Sequence, residues 1–171
     1  MTDYLSFAVA AAVILVIVIL VWRYQKKNGG AFDERQALLR GNAYKRAFFA
    51  VTIYCVLHAL IVLFSEKPVM EDGVGMMMAM FVGVTVFALD CIHHDAFFTA
   101  KQTPGGYILL LAVNIVTQGV GTAAKIRNGA FLRNGVLTMA CVQPACLAVF
   151  TVILIALLVR RYGGSRAEAE E

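Results

Sequence analysis

The chain has 171 residues, of which 60% are hydrophobic and 15% charged, and its mean hydropathy is +0.75. Soluble domains carry roughly a quarter charged residues, so this composition excludes a soluble globular domain, and equally a disordered chain, a collagen-like repeat or a disulfide-stapled secreted domain. The net charge of +4 comes from basic residues that flank apolar runs, as the positive-inside bias requires, so nucleic acid is not an expected partner. Cys55, Cys91, Cys141 and Cys146 lie in or beside apolar stretches without paired spacing and read as reduced thiols.

A helix needs about 20 apolar residues to cross a hydrocarbon core of about 30 Å. Tyr4 to Trp22 is uncharged and ends at Trp22-Arg23, an interfacial anchor, which predicts an uncleaved first span over 4–22. The loop 23–46 follows. Gly29-Gly30 breaks the first helix, and Asp33 reads as the N-cap of a short surface helix over 33–40 that leads into a second span over 47–64. A third span is expected over 74–97.

The segment 105–124 is ambiguous. Its first half is uniformly apolar, whereas Asn114, Thr117, Gln118, Gly121, Thr122 and Lys125 form one polar stripe at helical spacing. It fits either a fourth span or an interfacial amphipathic helix, and the apolar run over 108–113 favours a span. A last span is expected over 135–159, kinked at Pro144 and anchored by Arg160-Arg161-Tyr162. The tail 163–171 reads as disordered.

The expected fold is therefore an all-α integral membrane bundle of five transmembrane helices forming one domain over 1–171, with four spans and one interfacial helix as the alternative. Seven Lys/Arg in the 23–46 loop place that loop in the cytoplasm, the N-terminus outside and, with five spans, the C-terminus in the cytoplasm.

Three groups of residues could carry chemistry. His58, Asn114, Gln118 and Gln143 fall near one depth on straight helices, so they could form an intramembrane polar cluster. An ionisable group at that depth is a functional candidate, although helix packing by neutral side chains is the plainer reading. Asp90, Cys91, His93, His94 and Asp95 are zinc-ligand types on neighbouring helical turns. No second cluster accompanies them, so a metal site is not favoured. The Met76 to Met80 run reads as packing rather than a copper site. No nucleophile, base and oxyanion site can be named, so no catalytic residue and no cofactor are expected.

Asp33-Glu34-Arg35-Gln36, with Arg40-Gly41-Asn42-Ala43-Tyr44-Lys45 and Ala47-Phe48, resembles the Asp-Glu-Arg-Gln signature of a family of small multi-pass bacterial membrane proteins of uncharacterised activity. Cys91-Ile92, Asp95-Ala96-Phe97-Phe98, Asn128-Gly129 and Asn134-Gly135 are similar to later parts of that family. Its members are often encoded beside helix-turn-helix regulators. The resemblance implies a bacterial inner-membrane protein with a regulatory role, in which Asp33, Glu34, Arg35, Gln36 and Arg40 form a cytoplasmic docking segment. His93-His94 departs from that pattern, which weakens the metal reading further. The expected partners are the lipid bilayer and either another protein or a second copy of the chain. The leading expectation is a non-enzymatic sensor or regulatory partner; the alternative is a small oligomeric transporter or channel with a polar site around His58.

Overall fold

The computed structural model describes residues 19, 23, 32–71, 73–99, 102 and 104–167, with residues 162–167 described by backbone alone. The first expected span, over 4–22, and Gly29-Gly30 lie outside the described residues.

Among the described residues there are four long helices: α1 (Glu34–Phe64), α2 (Val74–His93), α3 (Pro104–Arg127) and α4 (Val142–Ala167). All four are long and apolar enough to cross a membrane. Only 6% of the apolar stretch of α1 is buried within the protein, and Phe49, Ile53, Leu57, Leu60 and Phe64 on it are exposed. In water so large an apolar surface would be untenable; in hydrocarbon it is the ordinary outside of a spanning helix. The chain is a membrane protein.

Several expected boundaries move. The separate surface helix over 33–40 does not form: α1 is one continuous helix of 31 residues, about 46 Å long, which outruns the hydrocarbon core and carries its charged first turns beyond it. Asp33 occupies the N-cap position, but its side chain makes no capping bond. The third span ends at His93, not at residue 97. The last span starts late, because residues 132–137 form a β-hairpin of β1 (Leu132–Arg133) and β2 (Val136–Leu137), followed by a 3-10 turn over Met139–Cys141. At its far end the helical backbone continues to Ala167, past the point where a disordered tail was expected.

The helices stand in a row, α1 against α2, α2 against α4, and α4 against α3. Antiparallel pairing of α1 and α2 brings Tyr44 onto Phe87, with ring centroids 4.4 Å apart, and Ala43 and Ala47 are buried along that seam. A Cβ added at Gly83 would lie 2.8 Å from Val51, so glycine permits the close approach there. Helices α3 and α4 are also antiparallel, with Gln118 reaching Cys146 and Gly121 lying under Gln143. The segment 105–124 thus runs lengthwise along α4 instead of crossing the ends of the other helices. The core sits between α2 and α4, where Ala88 and Ile92 meet Ile153 and Leu157.

At one end of the row, the loop over 65–73 is tied to the hairpin. Met70 pairs with Leu137 in a parallel bridge, in which the Glu71 N–H donates to the Leu137 carbonyl at 2.8 Å and the Leu137 N–H donates to the Val69 carbonyl at 2.9 Å. The Glu71 carboxylate also accepts from the Met139 N–H at 2.8 Å, where the 3-10 turn leaves an amide free to donate.

Candidate functional site

The other end of the row gathers most of the charged side chains that find partners. Helix α2 stops at His93 in a Schellman motif: the Ala96 N–H donates to the Cys91 carbonyl at 2.8 Å and the Asp95 N–H to the Ile92 carbonyl at 3.3 Å. Asp95 takes the left-handed position of that motif, with φ 55°, where glycine is usual and aspartate is among the better-tolerated alternatives. The turn swings Asp95 off the helical path and towards α4.

Two residues of α1 hold this turn. Gln36 and Arg40, four apart and so on one helix face, reach the carbonyls that α2 leaves behind. Gln36 Nε2 donates to the Asp95 carbonyl at 3.1 Å and Arg40 donates to the Ala96 carbonyl at 3.1 Å. The Arg40 guanidinium also lies over the Phe32 ring, 4.1 Å from its centroid. Six residues further along α1, Arg46 pairs with Asp90, whose side chain is only 13% exposed, so the cation offsets the cost of placing a carboxylate at the end of an apolar helix. From α4, Arg160 forks onto both oxygens of Asp95, the bidentate geometry that suits guanidinium and carboxylate. That hydrogen bond to Arg160 holds the Asp95 carboxyl below its usual pKa, with the nearby charges of Arg35 and His93 acting in the same direction. The result is a polar clasp joining α1, the 94–98 turn and α4.

The expected docking residues are therefore divided. Gln36 and Arg40 are engaged within the protein, whereas Asp33, Glu34 and Arg35 are exposed. Of the metal candidates Asp90, Cys91, His93, His94 and Asp95, His94 meets the Asp90 carboxylate at 3.5 Å and the His93 ring with centroids 4.9 Å apart, but the five do not converge on one point, and the reason is the helix end. Cys91 is buried at 1% exposure, Asp90 faces α1, Asp95 is turned to α4, and His93 is exposed. His94 Nδ1 lies 2.9 Å from the backbone carbonyl of Asp90. Among the described residues no three His, Cys, Asp or Glu side chains are grouped to hold a metal ion.

The intramembrane cluster also separates. His58 stacks on Tyr54 and lies against Gly75, the second residue of α2, so it stands near the hairpin end and not at mid-depth. Gln143, the second residue of α4, lies near the same end, but in the seam with α3, on the far side of α2 from His58. Gln118 joins it there, with Nε2 3.8 Å from Cys146 Sγ. Asn114 turns back to its own helix, donating to the Leu110 carbonyl at 2.9 Å. Straight-helix depth put the four at one level, but it carried no information on which helices are neighbours. Around His58 there is instead a cleft of about 670 Å³, bounded also by Tyr54, Ser65, Glu66, Glu71 and Gly75.

Arg46, Arg160 and Glu71 were missed as functional partners. For Arg46 a signal existed: folding the chain about the 65–73 loop sets residue 46 opposite residue 90, and a carboxylate on an apolar helix needs a cation. Arg160 required knowing that α4 lies against α2. No family model, no curated protein and no solved structure matches this chain.

Proposed function

We propose that this membrane protein acts by interaction and not by catalysis, as a sensor or regulatory partner, and that the Gln36–Arg40–Asp95–Arg160 clasp is its responsive element. One observation carries the reading: the contacts holding α1, the 94–98 turn and α4 together at that end are made by exposed or half-buried side chains, next to the exposed Asp33, Glu34 and Arg35. The one ion pair of the clasp, Arg160–Asp95, is exposed on both sides and so is screened by water and salt, which lets a partner of modest affinity exchange with it. The resemblance to the Asp-Glu-Arg-Gln family supports the regulatory part. The excess of Lys/Arg at the clasp end supports a cytoplasmic placement for it, and with a first span over 4–22 the protein has five crossings, an outer N-terminus and a cytoplasmic C-terminus.

A photo-crosslinker at Arg35 in native membranes tests this proposal. The expected outcome is a recurrent protein adduct whose yield changes when Arg160→Ala opens the clasp. Capture of lipid alone, or a yield indifferent to Arg160→Ala, overturns it. The cleft around His58 supports a second reading, an oligomeric carrier or channel. Solute movement in proteoliposomes that His58→Ala abolishes, with folding intact, would establish it in place of the first.

A further inference from the structure

The cleft of about 670 Å³ between α1, α2 and the 65–73 loop is large enough for a small organic molecule. Tyr54 and His58 line it one helical turn apart on α1, with near-parallel rings whose centroids are 6.0 Å apart. Gly75 leaves room for that pair, since a Cβ there would collide with the His58 ring. Much of the remaining lining is apolar, including Ile61, Met70, Met76 and Ala79. The charged side chains in the lining are Glu66, Lys67 and Glu71, two carboxylates against one ammonium. All three belong to the loop that follows the last turn of α1. The cleft therefore offers aromatic and apolar surface on its helical side and an excess of carboxylate where the helices leave the hydrocarbon.

We propose that this cleft binds one organic cation with an apolar body, of the quaternary onium or protonated lipophilic amine class. Its charge rests against the Tyr54–His58 ring pair and beside Glu66, and its body against Ile61, Met70, Met76 and Ala79. Aromatic faces attract cations through the ring quadrupole, and more strongly where water is partly excluded. Glu66 is the carboxylate assigned to the ligand because Glu71 already accepts from the Met139 N–H. A metal ion is not the expected occupant, since no three His, Cys, Asp or Glu side chains are grouped to hold one among the described residues. A small hydrophilic cation would leave the apolar lining unused, and an anion would meet the excess of carboxylate. Binding here needs neither a protein partner nor solute movement, so it stands or fails independently of the crosslinking and proteoliposome results.

The test is isothermal titration calorimetry of the full chain in dodecyl maltoside, with uptake by protein-free micelles subtracted. Three probes separate charge from shape: tetraphenylphosphonium, the isosteric anion tetraphenylborate, and tetramethylammonium. One tetraphenylphosphonium is expected per chain, with no saturable binding of tetraphenylborate and binding of tetramethylammonium at least about tenfold weaker. Glu66→Gln, an exposed loop change, should weaken tetraphenylphosphonium about threefold, and Lys67→Gln should tighten it about twofold. Tyr54→Leu should weaken it about fivefold, with circular dichroism showing an unchanged helical content. Absence of saturable tetraphenylphosphonium binding overturns the proposal. So does tetraphenylborate or tetramethylammonium binding as tightly, and so does an affinity unchanged by either Glu66→Gln or Tyr54→Leu.

Discussion

At the scale of single residues, the two aspartates that bracket the end of α2 act differently. Asp90 is nearly covered and depends on Arg46; Asp95 is exposed and depends on Arg160. Removing the cation from a covered carboxylate leaves it under-solvated, at a cost of about 1–3 kcal/mol. Arg46→Ala is accordingly expected to lower the unfolding midpoint in detergent more than Arg160→Ala does, and adding Asp90→Ala to Arg46→Ala should recover part of the loss in a double-mutant cycle. Asp95 gives a dependence on pH. Its native pKa lies below the unfolded value of about 3.9, so its contribution is complete above that value and disappears as pH falls through the lowered native one. A scan from pH 6 to 2.5, read by a spin-label distance between the 94–98 turn and α4, should show the two separating only in the acid range. In the Asp95→Asn variant that acid transition should be absent. The cluster Asp90 to Asp95 stood out in the sequence, and helical spacing set Asp90 beside His94 correctly, but it did not foresee that Asp95 leaves the helix. The Schellman turn at His94 carries no glycine to announce it, and it sends neighbouring side chains to different helices.

At the scale of elements, the existence of the described spans was legible because hydrocarbon imposes length and composition directly. Their ends were not, because ends are set by local backbone chemistry. The run from Gly135 reads as uninterrupted apolar sequence, yet Asn134 and Gly135 both take positive φ, 54° and 81°. Asn-Gly is the pair that a two-residue type I′ hairpin turn demands, so the turn signal was present and was outweighed by hydropathy. Gly135→Val should cost about 1–2 kcal/mol and expose the Leu137 amide, whose hydrogen exchange would rise. Gly41-Asn42 is the opposite case. Its residue types are poor helix formers, yet α1 passes through it because Gln36 and Arg40 on one side and Ala43 and Ala47 on the other already fix the helix to α2 and its terminal turn. That seam also predicts that Gly83→Leu, driven into Val51, destabilises by about 1–3 kcal/mol through overpacking, read as a lower midpoint with reduced contact between labels on α1 and α2.

At the scale of the whole molecule, the row of helices explains why the polar residues of the sequence do not form one site. Among the described helices the row keeps His58 in the α1–α2 seam and Gln118 with Gln143 in the α3–α4 seam. The orientation proposed above predicts that a reporter fused after Glu171 is active in the cytoplasm and silent outside; the reverse would overturn the five-crossing topology. The two ends of the row are also fastened by different means. Where Met70 meets Leu137, main-chain bonds stitch the α1–α2 hairpin to the α3–α4 hairpin, and of single substitutions only one to proline deletes a group that makes them. At the clasp end the same two halves meet through the apolar contact of Ala88 and Ile92 with Ile153 and Leu157 and through one side-chain pair, Arg160 on Asp95. Breaking that one pair will therefore release the 94–98 turn from α4 like an unfastened latch, while the packed helices and the stitched edge stay shut.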